Sequence, residues 1–262
     1  MKIKTFVAFL DQTYPKEIFD DIDIGKLGLQ IGNLEDDLHH VMMTLDLSLE
    51  VAKEAVEKKC NFIISHHPVV FYPMLSFVEQ TQNAQLLRFL IRHQINVYNM
   101  HTNLDIAIGG VNDALATLFG LEEVSIIKTE FPNQDFMRYG SIKPQTLEAF
   151  ASHIKQICNI PLIKIIGNPK KVIKKVGLIG GAGSEIKEQN RAVALGCDVY
   201  ITSEIKHHEA LHANLAPLAM IEIPHSAEFH YTTLLQPVIR EFLPSQINIV
   251  RTTIPQDPFL YV

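Results

Sequence analysis

The feature that most constrains this chain is a regular exchange of short apolar runs with stretches of helical spacing. Runs 40–45 (HVMMTL) and 61–65 (NFIIS) have the length and composition of buried strands. Between them, 48–59 (SLEVAKEAVEKK) repeats its apolar residues at three- and four-residue intervals behind Ser48, a good N-cap. Residues 83–93 then read as helix, 96–101 (NVYNMH) as strand and 111–119 as helix. This alternation predicts a largely parallel sheet with helices on its faces, because each crossover must return the chain to the same edge.

A second block of the same kind follows a turn-rich region at 131–135. Strands are expected at 137–142, 162–166 (LIKII), 175–180 (KVGLIG), 198–202 (DVYIT) and 219–224 (AMIEIP). Helices are expected at 146–158, 185–195, 205–215 and 227–242, and 247–253 can close a sheet. The expected fold is α/β: two packed lobes with mostly parallel or mixed sheets, residues 1–130 and 131–262. The first lobe is open to completion by the C-terminal segment. A chain of 262 residues is long enough to bury such a core.

In both blocks, ligand-type side chains follow strand ends, where open α/β sheets bind ligands. His66-His67-Pro68 comes first. Imidazole is the commonest metal ligand, and Pro68 keeps the exit from the strand extended, so both rings can turn toward one cleft. Asp105, in the polar run His101-Thr-Asn-Leu-Asp105 that follows the 96–101 strand, supplies a hard anionic donor able to bridge cations. His225 and Glu228 follow the last apolar strand at i and i+3, a spacing that shares one face of a helical turn. Three imidazoles and two carboxylates exceed the needs of one open zinc and suit two ions. The expectation is therefore a dinuclear site in the cleft between the lobes, holding divalent zinc, iron, manganese or nickel. His101, Glu204, His207 and His208 fall at the same edge. His101 and Glu204 are candidates for proton transfer, and His207 and His208 for substrate contact or ligand orientation. Gly180-Gly-Ala-Gly-Ser184 follows a strand and opens a helix. Gly181 and Gly183 could present amides to an anion, or the run could be a tight structural turn; it lacks the Lys-Ser/Thr of a P-loop.

Other classes are set aside by charge and composition. A net charge of −6 attracts no nucleic acid through the overall field, so direct nucleic-acid binding is not expected. Lys170, Lys171, Lys174 and Lys175 read as a solvated strand approach. Three scattered cysteines without a CxxC pair argue against disulfides and a zinc ribbon, and fit a reducing cytoplasm. The apolar run before Asp11 is too short for a signal or a membrane span.

ISHHPVVF at 64–71, NMHTNLDIAIGGVND at 99–113, VGLIGGAGS at 176–184 and YITSEIKHHEA at 200–210 together resemble the NIF-three-like family. Members are commonly labelled GTP cyclohydrolase 1 type 2 homologues. The resemblance runs from Gly28 (GLQIG, 28–32) to Glu228. It implies a two-lobed α/β fold, a dinuclear metal centre in the cleft and ring-shaped homohexamers. His66, His67 and Asp105 match family ligands by position, and His225 and Glu228 match the C-terminal His and Glu. This chain is too short for the domain that some members insert between the lobes. It departs from the family in Gly25-Lys-Leu-Gly28, which lacks a usual Asn, and in Ser203 of Thr202-Ser-Glu204, where Gly is usual. It also departs at Pro224-His225, with Glu228 three rather than four residues beyond the His. The expected function is a metal-dependent hydrolase, with a purine nucleotide such as GTP as the substrate that the family label implies. The alternative is a non-catalytic metal-binding regulatory or metal-delivery protein.

Overall fold

A computed structural model describes residues 1–17, 23, 25–74, 76–78, 81–128, 130 and 136–260. The turn-rich stretch expected at 131–135 lies outside them. In chain order the elements are α1 (Ile3–Thr13), β1 (Gly28–Ile31), β2 (Val41–Thr44), α2 (Leu49–Glu57), β3 (Phe62–Ser65), α3 (Gln82–Arg92), β4 (Asn96–Asn99), α4 (Thr102–Ile106), α5 (Val111–Leu118), β5 (Glu122–Ile126) and β6 (Arg138–Thr146). They continue as α6 (Leu147–Ile157), β7 (Lys164–Ile166), β8 (Val172–Leu178), α7 (Ile186–Ala194), β9 (Val199–Thr202), α8 (His207–Leu215) and β10 (Ala219–Glu222). A 3-10 turn (His225–His230), α9 (Tyr231–Phe242) and β11 (Ile249–Arg251) complete them. Two compact units result: Met1–Ala107 with Thr232–Gln256, and Ile108–Tyr231 with Asp257–Val262.

The sheet of the first unit has the order β1-β4-β3-β2-β11. β11, β2, β3 and β4 are parallel, and β1 is antiparallel to β4. Every residue of β2 and β3 is buried, which is why they read as unbroken apolar runs rather than alternating ones. Val51 and Ala55 of α2 and Leu90 of α3 pack with Met42, Ile63 and Val97. Phe62 points to the opposite face of the sheet from Ile63. There it meets Phe6 of α1 edge-on, with ring centroids 5.1 Å apart, while Phe9 stacks on Phe242 of α9 at 4.0 Å. The N-cap expected at Ser48 is present, its Oγ accepting from the Val51 amide at 3.2 Å. Ser48→Ala should cost about 1 kcal/mol. Chemical denaturation checks this, and an unmoved midpoint would mean that water caps α2 equally well.

The second unit has the order β5-β6-β8-β9-β10-β7. β8, β9 and β10 are parallel; β5, β6 and β7 join by antiparallel pairing. Both sheets are thus mixed, each around a parallel centre. Tyr200, Met220, Ala192 and Ala213 form a core beneath α7 and α8. Buried Arg138 forms an ion pair with Asp113, tying β6 to α5.

The sequence reading and the structure differ in identifiable places. Residues 108–130, assigned above to the first lobe, belong to the second unit, because α5 packs on β6 and on the 3-10 turn. α1 was not expected, although Ile3, Phe6, Val7 and Leu10 are buried at helical spacing. β5 is exposed along most of its length and has no strand alternation to betray it. The helix expected from 227 begins as a 3-10 turn and becomes α-helical only at Tyr231. Among the described residues, no helix is long and apolar enough to cross a membrane.

Candidate metal centre

Three adjacent parallel strands of the first unit end side by side, which delivers their following residues to one edge. β2 is followed by Asp46, β3 by His66-His67, and β4 by His101, with Asp105 on α4. His66, His67 and His101 offer ring nitrogens within 4.8 Å of one another, close enough to hold a metal ion.

Each of these rings is held from behind. His66 Nδ1 lies 2.8 Å from the Met100 carbonyl oxygen, His67 Nδ1 2.7 Å from Asp46 Oδ1 and His101 Nδ1 2.7 Å from Asp23 Oδ2. Carbonyl and carboxylate oxygens only accept, so each Nδ1 must carry the proton and donate. In the neutral ring, Nε2 is then the lone-pair nitrogen, as a metal ligand requires. His66 Nε2 faces Asp105 Oδ1 at 3.5 Å. Two electron-rich atoms at that separation repel unless a proton or cation stands between them. Burial raises the Asp23 carboxyl. The hydrogen bonds from His101 and Thr102 and the charge of Lys26 outweigh that, and hold it well below the usual carboxylate range. It therefore stays anionic behind His101.

The second unit repeats the scheme. Gly180 and Gly181 follow β8, Glu204 follows β9, and His225 and Glu228 follow β10. His225 Nδ1 is 2.6 Å from Glu204 Oε1, and its Nε2 is 3.1 Å from the buried Glu228 Oε2. A 3-10 turn has three residues per turn, so i and i+3 lie in line. The local geometry, and not the α-helix expected from 227, is what fits the three-residue His-to-Glu spacing.

The other expected residues divide. Glu204 orients His225, from a backbone φ of 54° that residues with a Cβ rarely adopt. Gly181, with φ 64°, lies against the pair: a Cβ there would stand 2.5 Å from Glu228 Oε1. The Gly183 amide donates to Gly181 O and Thr202 Oγ1, and the Gly180 amide to Asn112 Oδ1. The glycine run therefore directs these amides inward, as a structural turn does. His207 and His208 are exposed at the start of α8, and among the described residues neither joins a group able to share an ion. Burial pushes the three thiols up to about 11, so they are protonated and poor ligands near neutral pH. The sequence reading missed Asp46 and Asp23. Asp46 sits just past β2 at the same edge and was findable by the strand-end rule, whereas Asp23 has no such strand among the described residues.

Fold and donors together define a mixed two-sheet α/β protein with imidazole and carboxylate groups able to bind metal. The family model for Duf34/NIF3 (NGG1p interacting factor 3) matches residues 1–258, and the chain belongs to that family. A Streptococcus pneumoniae relative named GTP cyclohydrolase 1 type 2 homolog is 30% identical, with 99% of this chain and 98% of the relative covered. A Staphylococcus aureus relative of the same name is 27% identical with both chains fully covered. That alignment spans 371 residues against the 262 here, so the relative carries an insertion that this chain lacks. The crystal structure of a Staphylococcus aureus hypothetical protein aligns with a TM-score of 0.92 at 31% identity, covering 100% of this chain and 99% of that one. A Bacillus cereus protein related to NIF3 shares the fold, with a TM-score of 0.88 at 22% identity and coverage of 100% and 99%.

Proposed function

We propose that the chain is a metal-dependent hydrolase holding two divalent transition-metal ions. His66, His67 and Asp105 of the first unit and His225 and Glu228 of the second would be the ligands. One observation carries this reading: all four edge histidines have Nδ1 engaged by an acceptor-only oxygen, which presents Nε2 as the donor nitrogen. The donor set fits zinc, iron, manganese or nickel, since it is all nitrogen and oxygen. When bound, such ions lower the pKa of a coordinated water and polarise the bond it attacks. In this reading Asp46, Glu204 and the Met100 carbonyl fix ring orientation. His101, held by Asp23, moves protons at the imidazole cluster. A purine nucleotide, with GTP as the extreme case, is the substrate class suggested by the relatives' names.

Protein purified without chelators should contain roughly two transition-metal ions per chain by elemental analysis, and His67→Ala should lose at least about one. Absence of metal from the unmutated protein would count decisively against the site. Metal-dependent turnover on a nucleotide and phosphoester panel, lost in His67→Ala, would establish the hydrolase. Full metal content without turnover would favour a regulatory or metal-delivery role. Membership of the family also leads us to propose a ring-shaped homohexamer, which light scattering tests directly; a monomer would overturn it.

A further inference from the structure

A cavity of about 520 Å³ lies in the second unit beside the end of β10, with His225 and Glu204 in its wall. Its sides are apolar, built by Ile160, Ile163, Ile223 and Phe259. That volume suits a ligand of two or three fused rings. Glu222 and Lys164, paired at 2.6 Å, also line the cavity. Set against the single lysine, Glu204 and Glu222 leave the cavity one negative charge in excess and rich in acceptor oxygens. Without a bound ion on His225, an anionic ligand would face the oxygens that His225 and Lys164 leave unpaired without further compensation. A ligand offering N–H groups would satisfy them.

We infer that this cavity binds the ring system of a planar aromatic amine, itself neutral or cationic, with any anionic substituent lying outside it. Its rings lie among the isoleucines and Phe259, and its N–H edge meets Glu222 and Glu204. Assigning that ligand to the substrate rests on the metal reading above, since it puts the bound edge next to His225. The binding itself does not depend on metal.

Proflavine, a cationic diamino-acridine, is the probe, and anilinonaphthalene sulfonate, of similar size but anionic, is its counterpart. In chelator-treated protein, proflavine fluorescence should saturate at about one dye per chain and bind at least about tenfold tighter than the sulfonate. Ile163→Trp, which fills the cavity, and Glu222→Gln, which removes the charged acceptor, should each weaken it at least about tenfold. Unsaturable binding, indifference to both variants, or equal or tighter binding of the sulfonate would overturn the inference. Metal content is read on the same samples. Variant-sensitive proflavine binding in protein that held no metal before chelation would support the cavity assignment and at the same time sink the metal reading.

Discussion

Gly181→Ala should weaken metal binding roughly ten- to a hundredfold, the range seen when groups that support metal ligands are disturbed. The added methyl would stand 2.5 Å from Glu228 Oε1 and 3.4 Å from His225 Nε2, so the carboxylate must shift. Glu228 is only 4% exposed and has little room to do so. The substitution also strains the backbone, because φ is 64° and an L-residue in that region costs about 1–2 kcal/mol. Gly196→Ala separates the two effects. Gly196 has φ 72°, and a Cβ there meets nothing within 4 Å. It should lose about 1 kcal/mol of stability and keep its metal affinity. Zinc titration into chelator-treated protein measures both variants. Equal affinities for Gly181→Ala and the unmutated protein would show that Glu228 and His225 do not hold an ion.

The largest expected loss of stability comes from Glu54→Gln. Glu54 is 7% exposed on α2 and binds the returning C-terminal segment through Thr252 Oγ1, the Thr253 amide and the Thr253 hydroxyl, with Lys58 Nζ at 2.6 Å. Burial raises its carboxyl, but these hydrogen bonds prevail and lower it from 4.5 to about 2. A depressed carboxylate pKa adds stability that is complete above 4.5 and drains away as pH falls toward about 2. At ~1.4 kcal/mol per pH unit, that is about 3 kcal/mol at neutral pH. Denaturant titrations should therefore separate Glu54→Gln from the unmutated protein by about 3 kcal/mol at pH 7, and by progressively less below pH 4.5. A gap independent of pH would mean that shape, not charge, is what the substitution removes. The consequence reaches the candidate ligands. The segment that Glu54 secures carries Gln256, whose Oε1 accepts from the Leu45 and Asp46 amides, and Asp46 holds His67.

Much of this was legible in the sequence, for a physical reason. A strand buried on both faces favours apolar side chains, so β2, β3, β9 and β10 stand out as mostly apolar runs, and α2 and α3 between or beside them show helical spacing. Where a strand ends, that restriction lifts, and a cluster such as His66-His67 or His225 with Glu228 becomes conspicuous. Elements outside such constraints were not legible. β5 is exposed and reads as loop, and α1 opens with an apolar run whose periodicity is easily overlooked.

By itself, then, the sequence determined the order of the buried strands and the helices beside them, and which side chains follow the strand ends, because burial and backbone period act locally. Only the tertiary structure decided which oxygens stand behind the imidazoles. Asp23 and His101 are 78 positions apart, and Met100 and His66 are 34 apart. No local pattern links such pairs, and the proton's place on each ring depends on a partner that only the folded sheet brings within hydrogen-bonding distance.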